Sequence, residues 1–212
     1  MSDSTNSMSR PNCSARTAYA LAAGAAAAAA LNASGAIVYS GVQDLAIGQF
    51  SSLNLNIDGD ASGDLLLKNY VFGGGNYQGA TVNFFPGKLM SFNANGLSYV
   101  SALNAGVTVS SSSVGPSFFG SMAYGGANPN AQFNNAANKY LGLSFASGSN
   151  TYYGWVRVSL SNAAGSFMVH DWAYENSGGS IQTGAIPAPG ALGILAAGAS
   201  GLGLLRGRKR SK

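Results

Sequence analysis

Cysteine is nearly missing: Cys13 is the only one in 212 residues. No intrachain disulfide and no thiolate metal cluster can form. Histidine is as scarce. With His170 alone, a multi-histidine zinc site is excluded, and any serine activated by an imidazole has one partner to use. No Gly-x-Ser-x-Gly pentapeptide occurs, so the usual sharp-turn serine nucleophile is absent. Charge is thin, at 8% of residues. Between Ile37 and Ile186 no stretch carries a 3.6-residue amphipathic period, which argues against helices there. No internal repeat is present, which argues against a propeller or solenoid.

The charge that exists is unevenly placed. The formal net charge is +4, but seven of eleven cations (Arg10, Arg16, Arg206, Arg208, Lys209, Arg210, Lys212) sit in the two ends. The middle keeps Lys68, Lys88, Lys139 and Arg157 against Asp44, Asp58, Asp60, Asp64, Asp171 and Glu175, a net of −2. No basic patch is left to attract nucleic acid.

Both ends read as targeting segments. Arg10 and Arg16 precede an apolar run over 18–31 with six consecutive alanines, then the small residues Ala33, Ser34, Gly35 and Ala36. That is the three-part shape of a secretory signal peptide over 1–36, helical in its apolar part, with cleavage expected after Gly35 or Ala36. Arg10-Pro11-Asn12 before Cys13 do not make a lipoprotein signal. At the other end, Pro187-Ala188-Pro189 stiffens the chain ahead of an apolar segment, 191–205. Arg206, Arg208, Lys209, Arg210 and Lys212 close it. Cations resist crossing a bilayer and hold such an end on the cytoplasmic side. The 15 residues reach about 22 Å as a helix, short of a hydrocarbon core of about 30 Å. A buried helix is the other reading, but five cations with no acidic partner suit it poorly.

The last 26 residues resemble the PEP-CTERM sorting signal of Gram-negative bacteria, with Ala188 where that motif has an acidic residue. The resemblance implies recognition by exosortase, a membrane protease-transpeptidase. It implies passage through the inner membrane to the cell surface or extracellular matrix, often beside exopolysaccharide in a biofilm. Tyr152-Tyr153-Gly154-Trp155-Val156-Arg157-Val158 and Asp171-Trp172-Ala173-Tyr174-Glu175 are similar, more loosely, to the body of many such cargo proteins.

Period-two patterning dominates the middle. Leu53, Leu55 and Ile57 alternate with Asn54, Asn56 and Asp58. Further strands are expected over 37–39, 44–50, 65–72, 80–85, 88–94, 97–103 and 107–110. Asn95-Gly96 is the strongest hairpin signal. Residues 111–138, with Gly115-Pro116 and Asn128-Pro129-Asn130, read as a long irregular excursion, either a binding loop or a plain connection. Strands over 139–146, 151–160 and 166–174 then form a meander. In the last of them strict alternation places Phe167 and Val169 opposite Met168, His170 and Trp172. The expected fold is all-β: an antiparallel β-sandwich or jelly-roll-like ectodomain over 37–184, flanked by the signal helix and a C-terminal transmembrane helix in a sorting segment over 185–212.

Three groups of residues can carry chemistry. Asn56, Asp58, Asp60 and Asp64 place oxygens at calcium-loop spacing. They resemble the loops of EF-hand, thrombospondin type 3 and FG-GAP-like repeats, with Ala61 where those place glycine. The alternative is an ordinary Asp/Gly/Ser turn. Trp155, Trp172 and Tyr153 can stack on sugars or pack in the core. His170-Asp171, and the carboxylates Asp171 and Glu175, carry no independent sign of catalysis. The expected role is a non-enzymatic, exported surface or matrix protein of structural or adhesive type. A calcium-assisted carbohydrate-binding module is the first alternative. The second is a secreted hydrolase, which His170 within hydrogen-bond reach of a serine would favour.

Overall fold

The computed structural model describes residues 35–187. The apolar run 18–31, Ala188 and Pro189 of the proline motif, the 191–205 segment and the cationic tail lie outside that range. Among the described residues no helix is long and apolar enough to cross a membrane.

The described chain is all-β, with a single 3-10 turn at Gly125–Ala127. In order its strands are β1 (Ile37–Tyr39), β2 (Leu45–Ile47), β3 (Ser51–Leu55), β4 (Leu65–Phe72), β5 (Gly75–Val82), β6 (Lys88–Leu89) and β7 (Ser91–Ala94). β8 (Leu97–Val100), β9 (Thr108–Val109), β10 (Phe119–Ala123), β11 (Lys139–Ser147), β12 (Asn150–Ser161), β13 (Ser166–Glu175) and β14 (Ile181–Gln182) follow. One six-stranded sheet runs β1-β13-β12-β11-β6, with β2 also on β13. A second runs β3-β4-β5-β10-β8-β7, and β9 pairs with β14 in a small ribbon.

Alternation explains the core. Leu65 and Leu67 of β4 meet Leu141, Leu143 and Phe145 of β11 and Val156 and Val158 of β12 in one buried cluster. Each such side chain contributes about 1.5–3 kcal/mol by leaving water. The opposite face of the first sheet has its own smaller cluster, in which Trp155 and Ala173 lie with Val109 of β9 and Ile181 of β14. Asn95 and Gly96 both take positive φ, 51° and 75°, as a tight two-residue hairpin turn requires.

Two departures from simple patterning matter. β10 lies inside the excursion that reads as irregular, and it is buried along Gly120–Ala123, so no polar face marks it. A side chain at Gly120 would press on the backbone of Tyr99 and Val100, which lets β10 lie close beside β8. That pairing, through Ser121 and Tyr99, is parallel, so the second sheet is mixed rather than purely antiparallel. β5 begins at Gly75, ahead of the expected 80, and of its polar first half only Gln78 is buried. There Gln78 donates to Asn69, and Asn69 donates to the carbonyls of Ile47 and Gly165. Asn162 donates to Gln78 and to the Asn76 carbonyl. This amide chain joins the two sheets at one edge.

Candidate functional site

The site begins with a register fault. Arg157 pairs with Asp171 while Val158 pairs with Val169, so His170 is an extra residue in β13. Such a β-bulge turns two successive side chains to one face. His170 therefore shares the outer face with Asp171, and Trp172 turns to the core side, against the main cluster. This corrects strict alternation, which set Trp172 beside His170.

The bulge also frees a carbonyl. The His170 C=O accepts from the amides of Gln43 at 2.7 Å and Asp44 at 3.2 Å. The linker between β1 and β2 is thus pinned over the bulge, with Asp44 held at φ 47°. From there its carboxylate Oδ1 reaches His170 Nδ1 at 2.6 Å. On the other side of the ring, His170 Nε2 lies 2.8 Å from Ser159 Oγ. The Asn138 amide donates to that same oxygen at 3.0 Å. Asn138 Oδ1 accepts from Arg157 Nη1, and Arg157 grips Asp171 through Nε and Nη2. The Tyr39 hydroxyl donates to Asp171 Oδ2 at 2.9 Å.

A continuous polar row thus crosses the outer face of β12 and β13: Tyr39, Asp171, Arg157, Asn138, Ser159, His170 and Asp44. Burial and then the Asp171 hydrogen bond push the Tyr39 phenol up. The hydrogen bond to Asp171 raises Arg157 despite burial pulling the other way. At the Ser159 end the row opens into a cleft of about 640 Å³. Small residues such as Ala46, Gly48, Ala137 and Ala164 line it, and none of its lining residues is charged.

The aspartate loop is tied together by its own side chains. Each of the four expected ligands has an oxygen committed to a loop amide. Asn56 Oδ1 accepts from Gly59, Asp58 Oδ1 from Asp60, Asp60 Oδ1 from Ser62 and Asp64 Oδ2 from Ile57. The other oxygen of Asp58, Oδ2, is buried with no hydrogen-bond partner. No group of three or more acidic, histidine or cysteine side chains converges to hold a metal among the described residues. Asp64 is 2% exposed. Burial, then the charges of Asp58 and Asp60, push its carboxyl up to about 6 against the opposing Ile57 amide bond.

Of the expected stacking aromatics, Trp155 is buried while Trp172 and Tyr153 are half-buried. Trp155 is 1% exposed, so it offers no face to a ligand. Trp172 uses its indole N–H to hold the Ile57 carbonyl at 3.3 Å, fixing the aspartate loop to β13. Tyr153 packs against the outer cluster. The exposed phenylalanines are Phe50, Phe72, Phe84, Phe85, Phe118 and Phe119, with Phe85 94% exposed. Phe84, Phe85 and Phe118 border a second cleft of about 240 Å³. Of the sorting motif, Pro187 is described and exposed. Glu175 is buried and accepts from the Ser177 hydroxyl and the Gly179 amide.

No family model matches the chain. No curated protein and no solved structure matches it either.

Proposed function

We propose that this chain is an exported β-sandwich protein of the cell surface or extracellular matrix, with a structural or adhesive role. A leader over 1–36 directs export. The Pro187-Ala188-Pro189 motif, the apolar segment 191–205 and the cationic tail form a PEP-CTERM-like signal for an exosortase. The inner membrane holds the chain before processing, and exopolysaccharide is the expected neighbour afterwards. A single observation carries this reading: three-part apolar and cationic segments flank a body whose described strands run from Ile37 to Gln182. Its first described contacts suit a cut after Gly35, since Ala36 N–H donates to Asn176 Oδ1 and Ala36 C=O accepts from Asn176 N–H.

The test is fractionation with mass spectrometry of the mature ends, in cells with and without the sorting protease. Export with a new N-terminus and a protease-dependent C-terminal end is expected. Full-length chain from Met1 in the cytoplasm would sink the reading.

The exposed phenylalanines favour a second reading, a carbohydrate-binding module. Flat rings beside a shallow cleft can stack on sugars without charge. Glycan-array binding that is lost in Phe85→Ala supports it, and equal binding by both proteins overturns it.

A further inference from the structure

We infer that Ser159, His170 and Asp44 form a nucleophilic acyl-transfer site that hydrolyses neutral carboxylic esters with a short acyl group. This goes beyond the surface role and departs from the non-enzymatic expectation of the sequence. For a neutral His170 the partners assign who donates. The Asp44 carboxylate can only accept, so Nδ1 of a neutral His170 carries the hydrogen and Nε2 is an acceptor. The Asn138 N–H donates to Ser159 Oγ, so the hydroxyl hydrogen is left for Nε2. That order of hydroxyl, imidazole and carboxylate is the arrangement that activates a serine, and it is recognised by geometry rather than by chain order. Ser159 faces the uncharged, small-residue cleft, which suits an uncharged ester and a small acyl group.

In the first half of the reaction Oγ bonds to the acyl carbon and its proton passes to Nε2. The carbon–oxygen bond of the ester breaks, and the alcohol leaves with that proton. Water then attacks the acyl-serine and gives a proton to Nε2. The acyl–Oγ bond breaks, the carboxylic acid leaves and Ser159 recovers its proton. No redox partner is needed. The Asn138 amide, 3.0 Å from Oγ, occupies one lone pair of that oxygen and holds the hydroxyl towards Nε2. Asp44 acts through His170 and is a positioning residue.

The experiment treats the purified full-length chain with a fluorophosphonate and, separately, with p-nitrophenyl acetate. Mass spectrometry of the wild type should place the phosphonyl adduct on Ser159. His170→Gln should slow labelling and ester turnover about 10²–10⁴-fold with the fold intact by circular dichroism. Asp44→Asn should lower kcat at unchanged KM. An unlabelled Ser159 in folded wild type overturns the inference whatever the variants do. So does an adduct elsewhere, or turnover equal in wild type and Ser159→Ala.

Discussion

Arg157 closes a two-pronged ion pair on Asp171, Nε to Oδ1 at 2.9 Å and Nη2 to Oδ2 at 2.6 Å, across neighbouring strands. The guanidinium is partly exposed, whereas the carboxylate is 5% exposed. Removing the cation leaves the carboxylate with Tyr39 alone. Arg157→Ala is expected to cost about 3 kcal/mol in urea unfolding. A paired Arg157→Met, Asp171→Leu variant should recover much of that loss, since no buried charge is left. Equal destabilisation by both would show that packing, not charge, holds the pair.

The aspartate loop should make stability depend on pH in an unusual direction. Asp64 is raised to about 6 in the folded protein from an ordinary 3.8. The folded state therefore holds a proton that the unfolded chain has released between those values. Stability from this group is full below pH about 4 and is lost as pH rises towards 6, by about 2–3 kcal/mol. Asp64→Asn keeps an acceptor for the Ile57 amide and should flatten the fall. Thermal melts of both proteins from pH 4 to 7 check this.

Calcium should leave the melting temperature where it is. The oxygens of Asn56, Asp58 and Asp60 are committed to the amides of Gly59, Asp60 and Ser62. No three acidic, histidine or cysteine side chains converge to hold a cation among the described residues. Melts at pH 7 with millimolar calcium and with EDTA should coincide. A rise of several degrees with calcium, absent in Asp60→Asn, would overturn this view of the loop.

The buried amides should be costly to lose. Gln78 is wholly buried between Asn69, to which it donates at 2.9 Å, and Asn162, from which it accepts at 2.7 Å. Gln78→Ala strands an acceptor on one side and a donor on the other. The expected cost is about 3 kcal/mol, read by denaturant midpoint. Gln78→Glu restores volume but can no longer donate to Asn69, so it should not rescue.

Much of the fold was legible because burial and alternation agree. Val156, Val158 and Leu160 of β12 point inward, as their spacing predicts. Asn95-Gly96 turns as its chemistry demands. β10 was hidden because its small residues are buried on both faces. β14 is a two-residue strand with no pattern to detect. The polar row was less legible still. His170 and Ser159 were visible as residues, but the bulge depends on the register between two strands. Asp44 enters from 126 residues away. Only a signal for which carbonyl goes unpaired in the ladder would have found it.

That surplus residue at position 170 is a phase shift in the strand, and two distant properties ride on it. Upstream and downstream of it the strand obeys opposite parity. Downstream, Trp172 reaches inward to clasp the aspartate loop. At the shift itself, His170 and Asp171 stand side by side on the outer surface. Were the same residues to keep a uniform beat, Asp171 would turn inward and Trp172 out. The outer polar row and the loop's anchor are thus a single inheritance, gained or lost together.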